Sequence, residues 1–179
     1  MRVITGTARG RRLVTLEGRD VRPTTDKVKE ALFSIIQFEI EGRRVLDMFA
    51  GSGQLGIEAL SRGAESAVFI DGNKKAVDVI RKNLELTGFT DKATVYNNDS
   101  ILQVKNSREM FDLAFLDPPY NQGIVQKALP IVAESMAPGG VIVCETQEKE
   151  ELCGKVGDFS LAKVYKYGKT WLHLYRQEV

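Results

Sequence analysis

The chain has 179 residues, 43% hydrophobic and 27% charged, a composition that supports a substantial folded core and excludes a disordered chain. Its 25 basic and 24 acidic residues leave a net charge of +1, which taken alone argues against a protein that coats polyanions indiscriminately. One histidine and two cysteines exclude a Cys/His metal cluster and a disulfide framework, so no metal is expected and a reducing cytoplasm suits the chain. No apolar run approaches the roughly 20 residues of a membrane span, so no membrane partner is expected, and the first residues lack the apolar core of a signal peptide.

The first 23 residues stand apart from the rest. Arg2, Arg9, Arg11, Arg12, Arg19 and Arg22 are set against only Glu17 and Asp20, giving this stretch +4 while the remainder carries −3. Residues 2–5 and 12–16 read as short strands joined by a Gly/Ala/Arg turn. The expected organisation is a basic hairpin extension over residues 1–23 and a main domain over 24–179. Arginine suits bidentate phosphate contacts, so Arg2, Arg9, Arg11, Arg12 and Arg22 are candidates for holding phosphates. A merely solvated hairpin is the competing reading.

Thr24, Thr25 and Asp26 follow Pro23 as helix caps. Val28, Ala31, Leu32, Ile35, Ile36 and Ile40 then recur at helical spacing up to Gly42. From residue 44 strands and helices alternate. Strands are expected at 45–49, 67–71, 93–97, 111–117 and 141–145. Helices are expected at 55–61, 74–87, after Asp99, at 125–136 and at 149–153. Two last strands, 162–167 and 170–176, meet in a hairpin at Gly168-Lys169. Five strand–helix units imply a parallel sheet covered on both faces, with ligands at the carboxyl ends of its strands. Trp171 and the tyrosines near it are expected to pack the hairpin, with Tyr165 or Tyr167 within reach of a substrate. His173 is expected to be structural, and Cys144 a small buried hydrophobe.

The first of these strands runs into Asp47-Met48-Phe49-Ala50-Gly51-Ser52-Gly53-Gln54-Leu55-Gly56. The glycines match G-x-G-x-x-G between a strand and a helix, where backbone N–H groups and the helix dipole meet a ligand. Alone the match fits several nucleoside cofactors. Asp71, 20 residues past Gly51, can take a ribose diol. Asp47 stands where a carboxylate would repel a pyrophosphate and attract a cation, which favours S-adenosylmethionine over a dinucleotide. Asp99 is placed to accept from an adenine amino group. Phe49, Ser52, Gly53 and Asn98 complete the expected cofactor-binding set with Asp47, Gly51, Asp71 and Asp99.

The fourth strand ends in Asp117-Pro118-Pro119-Tyr120, the most specific signal in the chain. Two prolines fix φ twice and remove two donors, which holds a rigid turn. The Asp117 carboxylate and the Pro118 carbonyl can accept both hydrogens of an exocyclic amino group and aim its lone pair at a methyl donor. Tyr120 offers a ring on which a base stacks. Asp117, Pro118, Pro119 and Tyr120 are therefore the candidate catalytic residues.

These motifs, with Ala8-Arg9-Gly10-Arg11-Arg12-Leu13, the run from Arg22-Pro23-Thr24-Thr25-Asp26 to Phe33, and Glu58-Ala59-Leu60-Ser61-Arg62-Gly63-Ala64, resemble the bacterial RsmD-type methyltransferases. The resemblance covers essentially the whole chain. It implies a Rossmann-like methyltransferase fold, with a seven-stranded, mainly parallel sheet whose last strand is antiparallel, and an N-terminal hairpin that helps hold RNA. It implies methyl transfer from S-adenosylmethionine to the N2 amine of a guanine in 16S ribosomal RNA. The implied partner is an assembling small ribosomal subunit, and the implied state is a monomer in the cytoplasm. Asn73 departs from an acid that is frequent in the family. The alternatives are a DNA adenine-N6 methyltransferase, a NAD-dependent oxidoreductase, and a non-catalytic RNA-binding factor on the same fold.

Overall fold

The computed structural model describes residues 1–17, 25–119, 123–147 and 150–177. Eight strands form one sheet: β1 (Arg44–Asp47), β2 (Ser66–Asp71), β3 (Ala93–Asn97), β4 (Phe111–Leu116), β5 (Met136–Thr146), β6 (Lys155–Val156), β7 (Phe159–Tyr167) and β8 (Thr170–Gln177). Their order is β3-β2-β1-β4-β5-β8-β7-β6, with β1 to β5 parallel and the pairs β5–β8, β8–β7 and β7–β6 antiparallel. The helices are α1 (Asp26–Ile35), α2 (Gln54–Ser61), α3 (Lys74–Thr87), α4 (Ser100–Asn106) and α5 (Ile124–Glu134). α1, α2 and α3 close one face over a core that includes Leu32, Phe33, Ile57, Phe69 and Phe115; α4 and α5 close the other over Leu46, Ile70, Leu116 and Ile142. This is the Rossmann-like α/β methyltransferase fold that the strand–helix alternation and the resemblance imply.

Local chemistry sets the helix ends. The Thr25 hydroxyl accepts from the Val28 N–H at 3.3 Å and starts α1. α1 stops at Ile35 although its apolar pattern runs on, because Ile36 and Ile40 stay buried through a turn rather than a further helical turn. α3 begins where Asn73 Oδ1 accepts from the Lys75 N–H at 2.9 Å and ends at Gly88, whose φ is +78°. No helix among the described residues is long and apolar enough to cross a membrane.

Two expectations about the C-terminal third are corrected. Residues 150–153 are not helical, and the start of the expected helix at Lys149 lies outside the described residues. An eighth strand, β6, stands there instead, because Val156 and Phe159 pair across a two-residue Gly157-Asp158 turn and bury both side chains. The helix expected to reach residue 136 stops at Glu134, and Pro138-Gly139-Gly140 lies inside β5, where the pairing with β4 shifts register between Phe111 and Leu113.

The N-terminal segment forms a single antiparallel bridge, Arg2 to Arg12, supported by Val3 N–H to Arg11 O, Gly10 N–H to Val3 O and Leu13 N–H to Met1 O, each 2.9 Å. It is an arm held against the body. Val3, Ala8 and Leu13 are buried in the same core as α1 and α2. The Glu58 carboxylate of α2, fully buried, accepts from the N–H groups of Ile4 (2.8 Å) and Thr5 (3.1 Å) and from Arg62 Nε (3.2 Å). Lys29 Nζ of α1, also fully buried, lies 3.9 Å from Glu58 and donates to Arg2 O at 2.7 Å. Burial holds the Lys29 ammonium below its ordinary pKa, against the pull of Glu58. Ser61 Oγ accepts from Ala8 N–H at 3.0 Å and donates to Thr5 O at 2.7 Å. Gly6 makes this approach possible, since a Cβ there would stand 1.8 Å from Ser61 O and its φ is +93°.

Candidate active site

A cleft of about 420 Å³ opens at the carboxyl ends of β1, β2 and β4, where an open α/β sheet binds ligands. The loop between β1 and α2 forms its floor. Gly56 lets α2 lie directly on β2, because a Cβ there would stand 2.3 Å from the Phe69 ring. Gly53, with φ +81°, caps α2 and sits above Ile80 and Phe69 rather than on the cleft wall. Phe49, Ala50, Gly51 and Ser52 do line it.

Four aspartates line the cleft, Asp47, Asp71, Asp99 and Asp117, and no basic side chain does so among the described residues. Asp47, at the end of β1, is 2% exposed and accepts from the Gly56 N–H at 3.0 Å. Burial pushes its pKa up to about 7; the Gly56 bond opposes that rise and the nearby charge of Asp71 adds to it. A buried carboxylate on a cleft wall that holds no basic side chain among the described residues favours a positively charged ligand there. Asp71, at the end of β2, accepts from Gly51 N–H and Asn73 N–H, each at 2.9 Å, one on each oxygen. Each oxygen keeps a second lone pair for a diol. Asp99 caps α4 through Oδ1, which accepts from Leu102 N–H at 2.9 Å, and still borders the cleft. Asn98 is held behind it by Gln103 Oε1 at 3.0 Å and is not part of the wall.

On the opposite wall stand Asp117, Pro118 and Pro119, directly after β4. Pro118 is buried and Pro119 exposed, so the turn is anchored on one side and open on the other. Tyr120 lies outside the described residues, as do Arg19 and Arg22. Arg2, Arg9, Arg11 and Arg12 are exposed on the arm, and Arg2 reaches Asp26 at 3.5 Å.

Several wall residues lie outside the expected cofactor-binding and catalytic sets: Met1, Thr15 and Leu16 of the arm, and Gln54, Asn73 and Ile124. The arm reaches the cleft through Asn83 of α3, whose side chain is fully buried. Its Oδ1 accepts from Val14 N–H at 2.7 Å, while Nδ2 donates to Val14 O and to Ser52 O, each at 2.9 Å. Glu58, Lys29 and Asn83 looked like ordinary polar positions on amphipathic helices; only the three-dimensional partner distinguishes them. His173 is buried on β8, with Nε2 3.1 Å from Thr146 Oγ1 and Nδ1 without a partner among the described residues, and burial holds its pKa below the ordinary value. Cys144 is fully buried, and burial pushes its thiol pKa up.

The chain matches the family model described as "Conserved hypothetical protein 95" over residues 1–176. It is 42% identical over 182 aligned positions, covering 99% of both chains, to a Bacillus subtilis protein provisionally named as an rRNA methyltransferase, YlbH. It is 31% identical over 180 positions to the "Ribosomal RNA small subunit methyltransferase D" of Escherichia coli K12, covering 99% of this chain and 90% of that one. A solved Escherichia coli structure, provisionally named as methyltransferase yhhF, superposes with a TM-score of 0.88 at 32% identity and covers 99% of this chain and 98% of that one.

Proposed function

The chain belongs to the conserved hypothetical protein 95 family, that of the RsmD-type methyltransferases, and on that premise we propose that it transfers a methyl group from S-adenosylmethionine to ribosomal RNA. The finer reading is transfer to the exocyclic N2 amine of a guanine in 16S rRNA, within an assembling small subunit, by a monomeric cytoplasmic enzyme. The observation that carries the cofactor is the cleft wall of four aspartates without a basic side chain among the described residues. A pyrophosphate would meet uncompensated repulsion there, which speaks against a dinucleotide, whereas a sulfonium with an α-ammonium relieves the buried Asp47 charge.

When bound, S-adenosylmethionine supplies an electrophilic methyl group. Asp47 would face the ammonium, Asp71 would take the ribose diol and Asp99 would meet the adenine side. The target guanine leaves its stack to enter the cleft. Asp117 and the Pro118 carbonyl hold the two amine hydrogens and aim the nitrogen lone pair, so rate comes mainly from alignment. The amine becomes acidic only as the new N–C bond forms and the bond from the methyl to the sulfonium breaks, which would leave the neutral thioether S-adenosylhomocysteine, and Asp117 then takes the proton. The arm arginines hold phosphates and read no sequence.

The test is tritiated methyl transfer onto immature small subunits beside duplex DNA, with the product nucleoside identified by mass spectrometry. N2-methylguanosine is expected; N6-methyladenine in DNA would overturn the reading. Asp117→Ala should lower turnover by about 10²–10⁴-fold, the range of a positioned proton acceptor, while calorimetry still shows cofactor binding. Near-normal turnover of that variant would remove Asp117 from its role.

A further inference from the structure

The β7–β8 hairpin is a second basic region. Residues 159–177 contain Lys163, Lys166, Lys169 and Arg176 and no acidic residue, whereas residues 24–158 carry a net charge of −6. Arg176 is paired with Glu39 of the loop after α1. The three lysines are exposed around the turn at Gly168-Lys169. Aromatic rings are interleaved with them. Tyr165 and Tyr167 stack with ring centroids 6.4 Å apart and planes 8° apart. Lys163 Nζ lies 5.0 Å over the Tyr165 ring, and Lys166 Nζ 5.2 Å over Trp171. Tyr165, Tyr167 and Trp171 are each only partly buried.

Packing alone does not account for this composition. A hairpin that merely closes the sheet edge needs apolar side chains on its inner face; Leu172 and Leu174 supply them, and Tyr165 and Tyr167 pack against the same core with part of each residue left exposed. It has no need of ammonium groups held over the rings, nor of an acid-free surface in an otherwise acidic body. Register fixes where the hairpin tip stands relative to the cleft. Leu116 of β4 pairs with Cys144 of β5, so Asp117 is level with Glu145, which pairs with Leu172, which pairs with Tyr165. Three strand spacings separate the two ends of that row, about 14 Å. The tip is tied to the end of β5 by Gln147 Nε2, which donates to Thr170 Oγ1 at 3.1 Å.

We infer that the β7–β8 hairpin tip is a single-stranded RNA platform that holds the nucleotides flanking the target. Bases stack on the exposed part of the Tyr165–Tyr167 pair, and Lys163 on that face, Lys166 on the opposite face over Trp171, and Lys169 at the turn neutralise phosphates of a strand that rounds the tip. The inference rests on the proposed RNA substrate, but its test separates the two. Fluorescence anisotropy with a mixed-sequence single-stranded oligoribonucleotide of about 12 nucleotides, titrated across salt concentrations, reads the surface directly. The Lys163→Glu/Lys166→Glu/Lys169→Glu variant should lose at least about tenfold in affinity, and its salt slope should fall by about 2, since each phosphate on a single strand contributes about 0.7. Tyr167→Leu keeps an apolar side chain and removes the ring; it should lose affinity by about fivefold or more with an unchanged slope. Both variants should bind S-adenosylmethionine as the parent does, because none of these residues lines the cleft. Unchanged affinity and slope in the triple variant overturn the platform, even if the parent methylates subunits normally. If the parent shows the hairpin-dependent slope and transfers no methyl group to RNA, the platform stands and the proposed reaction fails.

Discussion

Two basic regions flank an acidic middle, and the fold attaches them by different means. The N-terminal arm and the β7–β8 hairpin each carry a formal charge of +4 when the arm is taken as residues 1–23 and the hairpin as 159–177. The hairpin is continuous with the sheet: β8 pairs with β5 over six registered positions and with β7 over eight. Its attachment is backbone, and no single side chain decides it. The arm has one bridge of its own and is held to the body largely by buried side chains, Glu58, Ser61, Lys29 and Asn83. A ladder of main-chain bonds survives substitution, whereas a clamp of directional side-chain bonds fails when one member is lost.

The largest expected effect follows from that contrast. Glu58→Ala leaves the buried Lys29 ammonium without its counter-charge and two arm N–H groups without their acceptor, so unfolding free energy should fall by about 3–5 kcal/mol, as for a buried pair that loses one partner. Urea denaturation measures it. Replacing an exposed lysine of the hairpin, Lys163→Ala, should stay within about 0.5 kcal/mol. A Glu58→Ala variant as stable as the parent would mean that the arm is held by its apolar contacts alone.

The same contrast explains what the sequence made legible. Asp47, Gly51, Asp71, Asp99 and Asp117 could be read because each stands at the end of a strand whose periodicity is plain, and strand ends in this fold converge. The parallel part of the sheet follows from the same alternation. The clamp could not be read: Glu58, Lys29 and Asn83 obey the helical pattern as if they were solvent-facing, and their burial depends on an arm more than 20 positions away in the chain. β6 was missed because two residues are too few to show a period. The tyrosines and Trp171 were legible as hairpin packing, and the lysines over their rings emerge only from the register. Gly53 belongs to the glycine motif, and neither it nor Asn98 lines the cleft, since a motif records local backbone needs as well as ligand contacts.

A smaller effect concerns the site that both basic regions flank. Asp47→Asn should weaken S-adenosylmethionine by about 10- to 100-fold, the equivalent of one charge-assisted hydrogen bond, as read by calorimetry. The pH dependence has a defined sign. The folded protein without ligand holds the Asp47 proton up to about pH 7, while the unfolded chain releases it near pH 4, so the folded state binds more protons in between. Asp47 therefore makes the ligand-free protein lose stability as pH rises from about 4 to about 7, and Asp47→Asn should abolish that part of the profile. Cofactor affinity should rise over the upper part of the same window, as the carboxylate ionises. Parallel stability profiles in parent and variant would show that Asp47 is ionised throughout.

The smallest effects sharpen the comparison most, because they ask whether the two basic regions act alike once their attachment is set aside. Arg11 on the arm and Lys163 on the hairpin are both exposed, and truncation of either should leave stability within about 0.5 kcal/mol. If each neutralises one phosphate, Arg11→Ala and Lys163→Ala should each lower the salt slope of single-stranded RNA binding by about 0.7, and the double variant by the sum of the two. Additivity is expected because the arm is fixed through α2 and α3 and the hairpin through β5, with no anchoring side chain in common. A loss in the double variant larger than that sum would mean that one RNA segment bridges the two regions, so that releasing it from either end frees it from both. A slope that responds to Arg11 and ignores Lys163 would leave the arm as the RNA handle and return the hairpin to closing the sheet.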